Sequence, residues 1–344
     1  MEKIREKLRK PEAVVWLAIF FLGVAYLLLS FFNKGGEGDA FSYYLRLNTQ
    51  GVRSFLFWLA LVGYGAGSVR LAVFLFAAGM RGENPLAFFS KERVEKARHY
   101  FSRLGKDLLF LVAPLIIGFY VMSLAIGQLN LFNASNLKDE LLLQWDFFLT
   151  GIYPSLSLGL GAWPGWFVKL VEVSFLYLGM ALLAFAFYAF FWRRNIFREA
   201  VAAFFAGIMI LFLGWTLFPA MSPHDRFLDN VYGLSVPPLV QEYVNDYRPQ
   251  EEIRSFLSYI RERKEGLSYL PTTTMPSAHV AWATLLAYYA WRAHRWLGLA
   301  VLPFALLSML GTVLFAQHYF VDIPMGMLVN AGSILLVKRL TKKS

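Results

Sequence analysis

Apolar residues in this chain gather into runs of roughly twenty, separated by shorter polar stretches. A soluble core would show runs of about 4 to 8 residues instead. A helix rises about 1.5 Å per residue, so about twenty residues cross the roughly 30 Å hydrocarbon layer of a bilayer. The pattern predicts spans at 13–32, 54–80, 107–131, 166–191, 200–218, 275–291, 296–315 and 318–337. The expected fold is therefore an all-α integral membrane protein of about eight transmembrane helices. The basic segment Met1 to Lys10 before the first run resembles a secretory signal. That run is too long for one and lacks a small-residue cleavage site, so it reads as an uncleaved first span.

Charge placement then orients the spans. The loop 81–106 holds seven Lys/Arg, 192–199 holds Arg193, Arg194 and Arg198, and the next turn on that side holds Arg292 and Arg295. The N-terminus and the tail from Lys338 to Lys343 match them. Alternate loops differ: 133–165 has one lysine against three acids, and 219–274 has six bases against eight acids. By the positive-inside rule, both termini are cytoplasmic and the acidic loops lie outside. The expected organisation is a two-helix extension with a basic loop over 1–106, followed by a six-helix core over 107–344. His99 and His294 fall on the cytoplasmic side by this scheme.

Composition agrees, with 58% hydrophobic and 16% charged residues. The net charge of +10 comes from short clusters between apolar runs, which encode topology and make no nucleic-acid stripe. The basic loop 81–106 also has some attraction for anionic lipid. Cysteine is absent, which removes disulfides, thiolate metal sites and a cysteine nucleophile. Gly63, Gly65 and Gly67 in the second span favour close helix packing, with Arg70 snorkelling inward.

Two outer segments read as surface helices. The stretch 141–166 is apolar but interrupted by Asp146, Tyr153 and Pro154, with Trp145, Trp163 and Trp166 suited to headgroup depth. The stretch 248–266 is amphipathic through Ile253, Phe256, Leu257 and Ile260 and reads as a helix capping the outer surface.

Candidate chemistry lies at the outer ends of two spans. Pro276-Ser277-Ala278-His279 enters the sixth, and His318-Tyr319-Phe320-Val321-Asp322 enters the eighth. A four-residue separation puts His318 and Asp322 on one helix face, where the carboxylate orients the imidazole and raises its basicity. Two convergent imidazoles suit phosphoryl transfer, one as nucleophile and one as acid, with Ser277 and a helix N-terminus to hold phosphate. Ionisable groups kept near lipid are costly and point to function.

These stretches resemble the Pro-Ser-Gly-His and His-x-x-x-Asp motifs of the type 2 phosphatidic acid phosphatase superfamily. The resemblance implies a phosphohistidine mechanism: His318 as nucleophile, Asp322 orienting it, His279 as general acid, Ser277 binding phosphate, and no metal or cofactor. The family's first motif, Lys-x6-Arg-Pro, aligns with Trp215 to Pro223, where Trp215 and Ser222 stand at the basic positions. Its Ser-Arg before the second histidine aligns with Gly311-Thr312, so a third base is absent. A phosphomonoester carries up to two charges and needs several cations, whereas a phosphodiester needs fewer. The chain is thus closer to the branch of inositol phosphorylceramide synthases, which move a phosphorylated headgroup between lipids.

Arg226 is the leading replacement cation, ahead of Arg248 and Lys169, the last expected to pair with Glu172. His224 and Asp225 read as loop capping residues. The implied partners are a phospholipid or lipid-linked phosphate, a lipid or polyol acceptor and the bilayer, in a plasma or inner membrane with the site facing outward. Two alternatives stay open: a lipid phosphate or prenyl pyrophosphate hydrolase using the same site, and a transporter relaying protons through His279, His318 and Asp322. The second lacks the inverted repeat and midplane charges such proteins use.

Overall fold

A computed structural model describes residues 10–33, 113–230, 233–264 and 271–341, with isolated positions between 76 and 102. Its described helices are α1 (Pro11–Phe32), α2 (Ala113–Asn133), α3 (Asp139–Thr150), α4 (Pro154–Ser157), α5 (Gly165–Leu176) and α6 (Leu178–Trp192). They continue as α7 (Arg194–Leu217), α8 (Pro238–Asn245), α9 (Glu251–Lys264), α10 (Ala278–Ala293), α11 (Arg295–Leu314) and α12 (Asp322–Thr341). Among the described residues the only β-type contact is an isolated parallel bridge between Ala220 and Thr273.

Five helices, α1, α2, α7, α11 and α12, are long and apolar enough to cross a bilayer. The pair α5 and α6 makes a sixth if its 54° bend interrupts one span. Large apolar side chains such as Phe20, Phe31, Leu217, Leu328 and Leu335 remain exposed on these helices, as lipid contact requires. The expected span 54–80 lies outside the described residues apart from isolated positions. The expected span 275–291 is the 16-residue α10, about 24 Å long at 1.5 Å per residue and shorter than a full crossing.

Other boundaries also differ from the hydropathy pattern. The run 166–191 is one apolar stretch but two helices, broken at Tyr177. Ser174, whose hydroxyl donates to Leu170 O at 2.9 Å, and Gly179 flank the break; both types let helices yield. Helix α7 begins at Arg194, six residues before the apolar run, because its first turns join arginines to acids. There Arg198 clamps Glu12 of α1 through two bonds of 2.5 and 2.8 Å, and Glu199 accepts from Arg292 of α10. Hydropathy alone does not register such a turn.

Helix α7 is the hub, packed against α1, α6, α10 and α12, while α10 and α11 form a tight hairpin through His294. A continuous apolar core runs from Val14 and Leu22 through Phe205 and Leu211 to Leu286 and Val337. At the end away from the arginines, the segments 218–230, 271–277 and 315–321 converge. They pack on a separate cluster of Leu142, Leu156, Phe227, Met275 and Tyr319, covered by α3 and α8. Helix α9 lies across α5 and the end of α11 on Ile253, Phe256, Leu257, Val168, Val171 and Phe315, matching the amphipathic stripe.

Close approach of α10 and α12 depends on Gly326: a Cβ there would lie 2.8 Å from Ser277 O and 2.8 Å from Val280 Cβ. Gly332, one and a half turns on, has its nearest neighbour at 3.5 Å. Gly326→Ala is therefore expected to cost about 1 to 3 kcal/mol by overpacking, and Gly332→Ala well under 1. Thermal unfolding of the two variants in detergent, side by side, checks the difference.

Candidate active site

The first histidine-bearing turn is built by the end of α11. Ala316 N donates to Val313 O and Gln317 N to Thr312 O, the paired bonds of a Schellman cap, with Ala316 at φ +50° where glycine is usual. This reversal carries His318 out of the helix. His318 is consequently not on α12, which starts only at Asp322, and the expectation of a shared helix face is corrected. The pair meets across a tight turn in which Asp322 N donates to Tyr319 O at 3.2 Å.

The contact itself is present. His318 Nδ1 lies 3.1 Å from Asp322 Oδ2 and 3.1 Å from Thr274 O. Both neighbours are acceptors, so the neutral ring carries its proton on Nδ1 and leaves the Nε2 lone pair free. Asp322 is fully buried, and the same Oδ2 accepts from Tyr319 N at 3.1 Å. Burial holds the His318 imidazole neutral, pushing it down to about 4, against the carbonyl of Thr274 and with help from the Lys264 charge.

Ser277 joins the two motifs. It is the N-cap of α10, its Oγ accepting from Val280 N at 3.2 Å, and the same oxygen stands 3.3 Å from His318 Nε2. His279 lies two residues on, in the first turn of α10. Its Nε2 is 2.8 Å from Ser308 Oγ of α11, and its ring stacks on Phe175 at 4.1 Å, just before the α5–α6 break.

The positions where the family pattern would have bases act on the backbone of the site. Trp215 Nε1 donates to Pro276 O at 2.9 Å, Ser222 Oγ accepts from Asp225 N at 3.1 Å, and Thr312 O accepts from His318 N at 2.9 Å. They shape the site without charge.

Three buried acids back the His318 turn. Helix α3 presents Asp146, whose two oxygens accept from Phe320 N at 2.9 Å and Val321 N at 2.8 Å, and Asp139, which accepts from Tyr319 Oη at 2.7 Å and Met221 N at 2.9 Å. The expected single surface helix over 141–166 is thus corrected. It breaks after Thr150 at Gly151, φ +73°, and its acids point inward to the site. Burial outweighs the hydrogen bonds and pushes the Asp139 carboxyl up to about 6 and that of Asp146 to about 7.

The cations divide sharply. Lys169 pairs with Glu172 at 2.9 Å as expected and is mostly exposed, and Arg248 is also exposed. Arg226 is buried in a π-helical turn, His224–Leu228, a distortion common at functional sites. Its Nη2 donates to Ser235 O at 3.0 Å, and its buried Nη1 has no hydrogen-bond partner among the described residues. Lys264, at the end of α9, is a partly buried cation here, 2.6 Å from Asp225 Oδ2. Asp225 in consequence stays well below the usual carboxylate range although burial opposes this. His224 N donates to Ala316 O at 2.9 Å, tying this turn to the backbone two residues before His318.

Residues 155–336 match the sequence profile of the PAP2 superfamily, just over half of the 344 residues. The chain belongs to the PAP2 superfamily. No curated protein and no solved structure matches it. Membership makes it a phosphatase-type enzyme, and the apolar helices make it a membrane one, with a phosphorylated lipid as the substrate class. Helix α3 precedes the matched stretch, yet its Asp139 and Asp146 hold the turn that follows His318.

Sequence reasoning missed Asp139, Asp146, Ser308 and Lys264. The two acids had a readable signal: they stand seven residues apart on one face of a helix rich in Leu, Trp and Phe, where unpaired charge is costly. Lys264 and Ser308 had none, since a lysine ending a charged surface helix and a serine in a span are ordinary.

The acids make a pH prediction. With folded pKa values of about 6 and 7 against 3.8 unfolded, the native state of this PAP2 protein binds more protons between about pH 4 and 7. Stability from these groups therefore falls as pH rises through that window. His318, held neutral, contributes the opposite slope between about 4 and 6.5. Subtracting melting curves of Asp146→Asn from wild type isolates the acid: the difference is expected to shift in the variant's favour from pH 4 to 7. Asp146→Ala, leaving two buried amides unpaired, should cost about 2 to 5 kcal/mol.

Proposed function

We propose that this PAP2 protein transfers a phosphorylated headgroup from a lipid at the extracytoplasmic leaflet through a phosphohistidine on His318. The supporting observation is the pair of acceptors, Asp322 Oδ2 and Thr274 O, on Nδ1, which leaves Nε2 as an unprotonated nucleophile. In the first step the Nε2 lone pair attacks phosphorus and the bond to the leaving oxygen breaks. His279 donates its proton to that oxygen, and Asp322 balances the charge gained by His318. In the second step His279 takes a proton from an acceptor hydroxyl, which attacks phosphorus and releases Nε2. Ser277 and Arg226 hold the phosphoryl oxygens, Ser308 and Phe175 hold His279, and no metal or cofactor is required.

Transfer is preferred to hydrolysis because Trp215, Ser222 and Thr312 leave the site short of the cations that grip a dianionic monoester. A singly charged diester suits it better, as in the inositol phosphorylceramide synthase-like branch. The proposed topology has eight spans with cytoplasmic termini: a two-helix extension over 1–106, then the catalytic core over 107–344. It is supported by the basic residues at 192–199, 292–295 and 338–339, all at the end opposite His279 and His318. The exposed apolar edge of α3, Phe147, Phe148 and Leu149, suits insertion at the lipid interface beside the site. The membrane would be a plasma or inner membrane.

Purified protein in detergent, given phosphatidylinositol, phosphatidic acid or a prenyl pyrophosphate with and without an alcohol acceptor, tests the proposal. The expected outcome is acceptor-dependent consumption of a phosphodiester. His318→Ala should abolish it, and Asp322→Asn should lower kcat by about a thousandfold or more through loss of the correct tautomer. Unaltered turnover in His318→Ala, or no turnover of any of these lipids, would refute it. Release of free phosphate without an acceptor would assign the same site to hydrolysis.

A further inference from the structure

The site lacks bases at the three positions where its family pattern has them, yet a partly buried lysine stands beside it from outside every motif. Lys264 is the last residue of α9, and its side chain is only 11% exposed. It meets Asp225 Oδ2 at 2.6 Å. Asp225 belongs to the turn whose His224 N is fixed to Ala316 O, immediately before Gln317 and His318. Helix α9 is in turn anchored by Phe256, stacked at 4.0 Å on Phe315 of the same turn. Two independent attachments thus bring the lysine to the His318 turn.

We infer that Lys264 is a phosphate-binding residue of this enzyme, delivered to the His318 pocket by the outer helix and shared between Asp225 in the resting state and the substrate phosphoryl group. It rests on the phosphoryl-transfer reading of the site. The ammonium is an adaptable point charge on a flexible stem, so it can keep one hydrogen on Asp225 while turning others to an anion. The Asp225 carboxylate also has the side chains of Ser222 and His224 beside it, His224 Nδ1 3.6 Å from Oδ1, so sharing Lys264 does not strand it. His224, Asp225 and Asp229 also bring metal-capable atoms within 4.8 Å of one another. With Lys264 on Asp225 and Arg261 3.7 Å from Asp229, protein cations already meet that charge, which favours an anion-binding role for the cluster's lysine over a metal site.

The test is binding of inorganic phosphate to the full-length protein in detergent, read by thermal stabilisation, which requires no turnover. Wild type and His318→Ala should both be stabilised by phosphate. Lys264→Gln should weaken phosphate binding by about tenfold or more, Lys264→Arg should retain most of it, and Asp225→Asn should leave it equal or tighter because the lysine is released. If Lys264 were only a structural partner of Asp225, Lys264→Gln and Asp225→Asn would lower the melting temperature alike and leave phosphate affinity unchanged. That result, or a wild type that phosphate does not stabilise, overturns the inference. Lys264-dependent phosphate binding without turnover of any lipid would instead overturn the phosphoryl-transfer reading and keep the anion site.

Discussion

One fully buried carboxylate, Asp322, ties the active end of this protein together. Its Oδ2 holds the His318 ring and the Tyr319 amide at once. A carboxylate removed from water needs such partners, and a nucleophilic imidazole needs a fixed tautomer. The turn from Ala316 to Asp322 supplies those partners to Oδ2, while the buried Oδ1 has none among the described residues, and much of the surrounding structure serves to hold that turn. The α11 cap points it outward, Thr274 supplies the second acceptor, and α3 grips its peptide groups with Asp146 and its tyrosine with Asp139.

This arrangement holds together with no base at positions 215, 222 and 312. Trp215 fixes the Pro276 carbonyl, Ser222 caps the π-helical turn, and Thr312 receives the amide of His318. Trp215 and Ser222 act through their side chains, and Thr312 through its backbone carbonyl. Positive charge reaches the region instead from Arg226 in the π-helical turn and Lys264 at the end of α9.

Much of this was legible in the sequence, for physical reasons. Apolar runs of bilayer length mark helices whatever their neighbours, so α1, α2, α7, α11 and α12 overlap the spans hydropathy puts there, with ends that differ by up to six residues. The amphipathic stripe of α9 was readable because a helix with one buried face must repeat at 3.6 residues. His318, Asp322 and Ser277 were found from their spacing and do meet, though the first two meet across a turn and not along a helix. What escaped notice depends on tertiary contact. Hydropathy does not register the break at Tyr177, the capture of His279 by Ser308, or the inward turn of Asp139 and Asp146. Lys264 looked like the solvated end of a charged helix, and only the fold carries it inward.

The central claim is that His318 Nε2 forms a covalent bond to phosphorus during turnover. Rapid quenching of the enzyme with a lipid donor labelled in its phosphate, followed by peptide mass spectrometry, tests it most directly. The account predicts an acid-labile, alkali-stable phosphate on the peptide containing His318, absent from His318→Ala. Label on any other residue, or a phosphoenzyme that persists in His318→Ala, would contradict it.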